Sequence, residues 1–544
     1  MPGCQRALFK ITFLLMAGVL SYLYLPHIFF NVSDFPLIIA AETDPGSIVD
    51  SIEKLFQTPY YSMFNGYHSK FYGWSYYALN FFVLIPVKTF SYLASYFFEF
   101  NVNTPTYISI RAVHFLLGFG IIFIYLKLFF KFSKNYLSIF FGISCLSLIL
   151  FLRVDSLAAW NLYWFIHPEP LGILASGFVY YFAIRLHETR HIKYFYYALT
   201  FSAVAVMAKQ TFLVICYPVI LMLFLDLIKE KKFRWVFIRA LFFKSSFLSI
   251  FLVFIIHPYL FSKIFTVLKS FSAYHDALVA PYSFATSASG EIIQITYLDG
   301  LRFWLVNSIS ALRMHVGWYP FLLSLFILPI NFLVAPFKKL HSPIIGIFSL
   351  LTSAIIILFF LFIALGNRNH FSVHYLFPVM PLLLLNLYLF FLVVVDGKSR
   401  SFRLCVFIPL ILLNAFAFYY NFNQVQEASQ KRLSKDNLSF ISYNFLLDQF
   451  VDTDRIAHDH FVAVPSKFNN CSYWQSCSTY QGLVDFNPTV VAFWPEYNPG
   501  TPIGGYANTN NLVRYVKEKK MRLVVKLTSN HPDTLGHIIH VYAD

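Results

Sequence analysis

The chain has 544 residues, of which 58% are hydrophobic and only 12% are charged, and its mean hydropathy is +0.61. Soluble domains carry roughly a quarter charged residues, so this composition excludes an ordinary soluble protein and requires lipid as a second solvent. The formal net charge is +15, but much of the basic excess lies in short runs between apolar segments, where the positive-inside rule places it. We therefore exclude nucleic acid as a partner.

The first apolar run, Ile11–Phe30, follows Arg6 and Lys10 and is too long for the apolar region of a typical cleaved signal peptide. It predicts an uncleaved signal-anchor helix. Ten later apolar runs are also candidate spans. Together they predict an all-α polytopic membrane protein of about eleven transmembrane helices. These later runs are Tyr107–Phe130, Tyr136–Leu152, Leu171–Leu186, Tyr194–Ala208, Phe212–Ile228, Trp235–Ile256, Tyr319–Pro336, Pro343–Leu365, Tyr375–Val395 and Leu404–Tyr420.

The stretch Tyr76–Phe98 is apolar but contains Pro86 and Lys88. If it does not cross the membrane, the basic loops between later spans fall on the same side as Arg6 and Lys10. The positive-inside rule therefore predicts an interfacial helix here, with the N-terminus inside and the long polar segments outside. The basic loops are Lys131–Lys134, His187–Lys193, Lys229–Arg234, Lys338–Lys339 and Lys398–Arg403.

The C-terminal tail differs in composition from the rest of the chain. We predict a membrane domain at 1–420 and an extracytoplasmic domain at 421–544. In the tail, the strand-like runs Val490–Trp494 and Arg522–Leu527 flank a helical stretch at Asn511–Lys519. Strands that alternate with a helix indicate a small α/β module.

Two of the six cysteines, Cys471 and Cys477, lie close together in this tail. If the tail is in an oxidising compartment, the two are candidates for a disulfide. A metal site is less favoured, because no second Cys or His pair stands at finger-like spacing nearby.

The first outer segment carries an acidic motif, Glu42-Thr43-Asp44-Pro45-Gly46. Two carboxylates two residues apart, followed by a turn, lie close to the predicted membrane surface. A general base needs this kind of partly desolvated placement. The alternative is purely structural, with Asp44 as the N-cap of a helix and Pro45 in its first turn.

A second acidic motif, His167-Pro168-Glu169-Pro170, lies where the fourth predicted span begins. An ionisable group at a membrane boundary, fixed between two prolines, indicates a functional site. The alternative is a solvated Glu169 within an interfacial belt of aromatic residues. A metal pair of His167 and Glu169 lacks an evident third ligand.

Several cations are predicted on the same outer side as both acidic motifs. They are Arg153, Lys209, Arg368, His370 and His374. A phosphate held at a bilayer surface requires such groups. Taken singly, each is better explained as an interfacial residue whose charged end reaches water.

These motifs together resemble the GT-C superfamily of membrane glycosyltransferases, especially bacterial relatives of the protein O-mannosyltransferase and aminoarabinose transferase family. The resemblance covers roughly residues 1 to 420. It rests on Glu42 and Asp44, the stretch Tyr72–Phe98, Arg111 at the start of the next span, His167-Pro168-Glu169, and the segment Arg368–Pro381. The chain departs from the family in having Glu-Thr-Asp where many members have adjacent Asp-Glu, so the base is Asp44 or Glu42.

The resemblance implies transfer of a hexosyl or pentosyl group from a polyprenyl-phosphate donor to a hydroxyl of a lipid, glycan or protein, with inversion. It implies Asp44 as first choice for the base and Glu42 as second, with Glu169 orienting the acceptor or sharing the base role. Lys209, Arg368 and His374 would hold the donor phosphate, and His167, Arg153 and Tyr72 would line the acceptor side of the cavity. No cofactor is expected, although the sequence leaves a divalent metal open. The expected location is the bacterial plasma (inner) membrane.

Three other interpretations remain open. A lipid or glycan transporter or flippase would place ionisable groups near the bilayer midplane, whereas here they lie at the ends of the spans. A non-catalytic assembly protein for surface glycans would share most of these features, and a glycan polymerase or ligase would use the same lipid-linked sugars. The absence of a Walker-type phosphate loop argues against ATP-driven transport by this chain alone.

The predicted topology can be tested by cysteine labelling. In a background without the native free cysteines, a cysteine in place of Asp44 should react with a membrane-impermeant maleimide added to intact cells. A cysteine in place of Lys398, in a predicted inner loop, should react only after the cells are opened. The reverse pattern would contradict the topology.

Overall fold

The computed structural model of this chain consists of apolar helices followed by a small α/β unit, which confirms the predicted fold class of a polytopic membrane protein. The residues that it describes are 3–30, 32, 34, 37, 43–57, 75–98, 103–133, 135–154, 160–163, 166–229, 243–244, 284–286, 292–294, 296–314, 316–334, 343–366, 373–434, 437–459, 462–472, 477, 479–495, 509–529 and 538–544.

The helices of the membrane part coincide with the predicted spans wherever the chain is described, and additional helices lie in the predicted outer segments. In chain order they are α1 (Gly3–Tyr24), α2 (Thr43–Gln57), α3 (Ser75–Ser95), α4 (Asn103–Phe132), α5 (Tyr136–Ser147), α6 (Glu169–Thr189), α7 (Lys193–Ala208), α8 (Phe212–Lys229), α9 (Tyr297–Met314), α10 (Tyr319–Val334), α11 (Pro343–Gly366), α12 (Met380–Val395) and α13 (Arg400–Leu433). Short 3-10 helices occupy Leu25–Phe29, Leu148–Phe151, Val316–Trp318 and Val373–Leu376. The predicted span Trp235–Ile256 lies outside the described residues, apart from residues 243 and 244.

By length and composition, five helical segments of the described part could each cross a bilayer. They are Gly3–Phe29, Ser75–Ser95, Asn103–Phe132, Pro343–Ala364 and Arg400–Gln430. Shorter apolar helices accompany them, and within the described part α4 packs against α1, α5 and α6, while α6 packs along α7 and α8. Most of the buried apolar side chains of these helices form one large core.

Helix α3 is the element that the sequence predicts to lie along the interface and not to cross the membrane. It is long and apolar enough to cross, yet Lys88, in its second half, forms an ion pair with Glu53 of α2 at 2.5 Å. Both side chains of the pair remain about one-fifth exposed. A charged pair at this position is costly in hydrocarbon, so the ion pair favours the interfacial position.

A polar network joins helices α10, α11 and α12 inside the bundle. The amide nitrogen of Asn331 donates to the hydroxyls of Ser349 and Ser353, each at 2.8 Å. Ser353 donates to the Asn386 carbonyl oxygen at 2.7 Å, and Asn386 donates to Ser324 at 3.3 Å. Such bonds hold helices together where lipid provides no hydrophobic driving force between them.

A smaller group of buried apolar side chains lies at one end of the bundle, and we call it the second apolar cluster. It combines side chains from the segment after α1, from α2 and α3, and from the ends of α4, α6 and α7. Its members include Val32, Ile48, Val49, Ile52, Tyr77, Ile110, Ile166, Leu171 and Ala208. Helix α2 carries the first acidic motif and Leu171 lies beside the second, so the cluster brings both acidic segments to one end of the bundle.

The tail is a small α/β unit, as predicted, and its helices lie on both faces of one sheet. Two short antiparallel pairs come earlier in the chain, β1 (Arg153–Val154) with β2 (Trp160–Asn161) and β3 (Phe284–Thr286) with β4 (Ile292–Gln294). Strands β5 (Arg455–His458), β6 (Asn469–Ser472), β7 (Val490–Phe493), β8 (Arg522–Thr528) and β9 (Ile538–Ala543) form the sheet of the tail in the order β6-β5-β7-β9-β8. Strand β5 is parallel to β6 and β7, whereas β9 is antiparallel to β7 and β8.

Alternate residues of the strands point to opposite faces of this sheet. Ile456 packs with helix α14 (Leu438–Gln449) on one face, and the next residue, Ala457, packs with helices α15 (Tyr480–Phe486) and α16 (Thr509–Lys519) on the other. Cys471 and Cys477 form the anticipated disulfide, with their Cα atoms 5.8 Å apart.

Helix α13 continues past the predicted domain boundary at residue 420 and ends at Leu433. Val425 and Ala428, beyond that boundary, still pack in the large core of the membrane part. The change in composition at Asn421 therefore marks where the helix leaves its most apolar section, and the first helix of the tail begins only at Leu438.

The contact between α6 and α8 can be tested at Gly172. A Cβ atom at this position would overlap the ring of Phe212, which is fully buried. Gly172→Ala should therefore destabilise the protein by roughly 1–3 kcal/mol through overpacking, measured by unfolding in detergent. Gly18→Ala is the matched control, because no atom lies within 4 Å of the added Cβ; equal loss of stability in both variants would contradict the prediction.

Candidate active site

The second acidic motif lies at the start of helix α6. Pro168 is the N-cap and Glu169 the first residue of α6, with Pro170 in the first turn. Proline suits this turn because its missing N–H would have no partner in the helix, and a carboxylate here interacts favourably with the helix dipole. The two prolines thus fix the backbone position of Glu169 at the start of α6.

Lys209 approaches Glu169 from the turn between helices α7 and α8. It follows the last residue of α7, Ala208, in an extended conformation with φ −154° and ψ 133°. Because α7 packs antiparallel along α6, the end of α7 and the start of α6 lie together. The turn therefore carries the Lys209 ammonium toward the first turn of α6.

The side chains of Glu169, His167 and Lys209 contact one another and are all buried. Lys209 Nζ donates to Oε1 of Glu169, and His167 Nδ1 contacts Oε2 of the same carboxylate. Glu169 and His167 are each 2% exposed and Lys209 is 7% exposed. Buried charges are stable only when paired and hydrogen-bonded, so the carboxylate and the ammonium depend on each other. Lys209 Nζ also lies 5.3 Å from the ring centroid of Tyr375.

A buried histidine supports this group from helix α4. His114 Nε2 lies 2.5 Å from the carbonyl oxygen of Leu162. A carbonyl oxygen can only accept, so Nε2 carries the proton and Nδ1 faces the Tyr76 hydroxyl, at 3.4 Å, as an acceptor. His114 thereby joins α4, α3 and the loop before α6. In the sequence, His114 lies three residues after Arg111 within an apolar span, where nothing in the local pattern indicates this role.

The first acidic motif reaches the same region through helix α2. Helix α2 begins at Thr43, and the backbone of Asp44 forms its second residue. The second apolar cluster contains Ile48 and Ile52 of α2 together with Leu171 and Ala208. Leu171 is two residues from Glu169 and Ala208 is next to Lys209, so the helix that carries Asp44 packs on the apolar cluster that underlies the buried ion pair.

The other residues singled out in the sequence fall into two groups. Glu42, Tyr72, Arg368 and His370 lie outside the described residues. For Arg153, in β1 (Arg153–Val154), and His374, in the 3-10 helix Val373–Leu376, the backbone is described. These two short elements pack against each other, and Tyr375 beside Lys209 belongs to the second of them. Tyr375 belongs to the segment Arg368–Pro381, but no pattern in the sequence places it in the site.

Arg111 has a different environment from that of Lys209. It is 3% exposed and donates to the carbonyl oxygens of His27, at 3.0 Å, and Phe30. Arg432 of helix α13 lies 4.7 Å from the ring centroid of Phe30. The two arginines thus tie α4 and α13 to the turn that follows α1.

The buried group has the chemistry of an electrostatic site. It offers one ammonium, one carboxylate and one imidazole at the ends of apolar helices, where a low dielectric strengthens charge interactions. Within the part of the chain that the structure describes, no group of three or more His, Cys, Asp and Glu side chains converges in a way that could hold a metal.

No protein-family model and no curated protein matches the chain. Among solved structures, it is similar to ArnT from Cupriavidus metallidurans bound to undecaprenyl phosphate, with 10% identity and a TM-score of 0.49 over 99% of this chain and 98% of that chain. It is also similar to the apo oligosaccharyltransferase of Archaeoglobus fulgidus, with 9% identity and a TM-score of 0.39 over 89% of this chain and 69% of the other.

The mutual dependence of Glu169 and Lys209 can be tested with a double-mutant cycle. Removing one partner of a buried pair leaves an uncompensated charge, so Glu169→Gln or Lys209→Met alone should each cost about 3–5 kcal/mol of stability. The double variant should cost clearly less than the sum of the two. Unfolding in detergent measures all three, and strictly additive losses would show that the two charges do not interact.

Proposed function

We propose that this protein is a membrane glycosyltransferase of the GT-C type. It would transfer a sugar from a polyprenyl-phosphate donor to a hydroxyl acceptor at the outer face of the membrane, with inversion. The observation that carries the proposal is that α2, with its acidic N-terminus, contributes to the second apolar cluster together with Leu171 and Ala208, which lie within two residues of the paired Glu169 and Lys209. The proposed reaction requires the two acidic motifs to lie near each other in the fold, although they are more than one hundred residues apart in the sequence.

The contacts of Glu169 support a division of roles between the two acidic motifs. Oε1 of its carboxylate accepts a hydrogen bond from Lys209, and Oε2 is in close contact with His167 Nδ1. A carboxylate engaged in this way is better suited to orient a lysine than to remove a proton. We therefore assign the base to the first motif, with Asp44 as first choice and Glu42 as second.

Lys209 is the proposed electrostatic partner of the donor phosphate. During transfer the acceptor oxygen bonds to the anomeric carbon and its proton passes to the base, while the bond from that carbon to the phosphate oxygen breaks and leaves its electron pair on the phosphate. A preorganised ammonium stabilises this developing charge. His374, next to Tyr375 in sequence, and Arg368 and Arg153 are proposed as further phosphate or cavity residues. Inversion requires the base and the phosphate site on opposite sides of the anomeric carbon.

The interior of the bundle argues against the transporter alternative. Transporters place ionisable groups at the midplane, on interrupted helices. In the described part of α10, α11 and α12, the buried polar network consists of the neutral side chains of Ser324, Asn331, Ser349, Ser353 and Asn386. The buried ion pair, by contrast, lies at helix ends.

A transfer assay tests the proposal and the choice of base together. Purified protein is supplied with a sugar linked to undecaprenyl phosphate, the lipid named for the ArnT structure, and with a membrane extract as acceptor. Wild-type protein should release undecaprenyl phosphate only when acceptor is present. Asp44→Asn should lower the rate on the order of 10²–10⁴-fold, as expected for loss of a general base.

The matched control for this assay is Asp452→Asn, since Asp452 is an exposed tail residue. This variant should keep the wild-type rate. Normal transfer by Asp44→Asn would move the base to another residue, and transbilayer movement of the intact lipid-linked sugar without its cleavage would favour a flippase.

A further inference from the structure

A carboxylate outside the proposed active site connects the membrane part to the tail. Asp34 lies between the 3-10 helix that follows α1 and helix α2. Its Oδ2 accepts hydrogen bonds from the Tyr443 hydroxyl at 2.9 Å and the Ser466 backbone N–H at 3.1 Å. Its Oδ1 accepts from the Ser466 hydroxyl at 2.5 Å. Both oxygens of Asp34 are therefore held by the tail.

The three donors come from two separate parts of the tail. Tyr443 belongs to helix α14, and Ser466 precedes strand β6. Burial and the adjacent Asp34 carboxylate raise the pKa of the Tyr443 hydroxyl, so this hydroxyl keeps its proton and stays a donor at neutral pH. Hydrogen bonds to a charged acceptor are roughly twice as strong as neutral ones, which makes this a specific connection rather than an incidental contact.

The same segment is held from the other side by the second apolar cluster. Val32, two residues before Asp34, is buried in that cluster together with Ile48 and Ile52 of helix α2. The tail thus holds Asp34, the cluster holds Val32, and α2 packs on the same cluster. A displacement of Asp34 would be transmitted to the packing of α2.

Helix α13 delivers the tail to this place. Beyond its most apolar section, Gln426 donates to the Tyr22 hydroxyl at 3.0 Å, and Ser429 lies 2.8 Å from His27 Nε2. The end of α13 is therefore packed against the end of α1, only a few residues before the chain reaches Asp34.

We propose that Asp34, Tyr443 and Ser466 form an interdomain latch through which the tail sets the position of α2, so that Asp34 is a positioning residue for the reaction. This inference rests on the proposed function for its catalytic consequence only. The mechanical part, in which the tail holds α2 through Asp34, can be measured without turnover.

Hydrogen exchange in lipid nanodiscs tests the mechanical part. Asp34→Asn keeps the shape of the side chain but removes its charge, so amide exchange in α14 and in α2 should rise about tenfold, the equivalent of losing one charge-assisted bond. Tyr443→Phe should raise exchange in the same two helices by a smaller factor. Asp452→Asn, which affects only an exposed pair with Lys467, should change neither. Faster exchange in α14 with α2 unchanged would reduce the latch to a simple attachment, and no change in either helix would overturn it.

Steady-state kinetics test the catalytic consequence. A displaced α2 should lower kcat about tenfold in Asp34→Asn while the KM for the lipid-linked donor changes less than twofold, because the donor site near Lys209 is intact. Rates are expressed per amount of folded protein, because a general loss of folded protein would also lower the apparent kcat at constant KM. A rise in KM at constant kcat would overturn the positioning role. If the wild-type protein transfers no sugar, the proposed function fails, whereas the exchange experiment still decides the latch.

Discussion

The polar part of the structure depends on one constraint, the need to neutralise charge in an apolar setting. Lys209 and Glu169 are both buried where helices α6 and α7 meet. Neither could be desolvated alone without a cost of several kcal/mol. The pairing is possible only because the turn after α7 returns to the first turn of α6, and His167 and Tyr375 complete the surroundings. Helix packing and site chemistry are thus two aspects of the same arrangement.

The sequence was sufficient to predict the class of fold, because composition and the spacing of apolar runs determine which segments enter lipid. It was also sufficient for the α/β tail, since strands and helices alternate in it. The strand order was beyond prediction, because β9 lies between β7 and β8 through contacts that no local pattern encodes. The end of α13 was missed for a related reason: Val425 and Ala428 are buried by tertiary packing, whereas a change in composition registers only the chain's own polarity.

The candidate site shows the same division. Motif order indicated that Glu169 and Lys209 belong to one face, yet the two are forty residues apart, and their direct contact follows only from the geometry of α6 and α7. Sequence reasoning assigned Lys209 to a phosphate and Glu169 to proton transfer, treating each as independent. Asp34 could not be identified from the sequence, because a single acid in a short segment has no recognisable pattern and its partners lie more than four hundred residues away.

Helix α13 has a further consequence for how the protein could use its tail. Its 34 residues make a continuous rod of roughly 51 Å at about 1.5 Å per residue, whereas the hydrocarbon layer is about 30 Å thick. The helix is therefore about 20 Å longer than the hydrocarbon layer is thick, which is roughly the length of its section after residue 420. Because Val425 and Ala428 of this section remain packed in the large core, and Gln426 and Ser429 contact Tyr22 and His27, the α/β unit is joined to the bundle through a helix that is itself anchored there and not through a flexible linker.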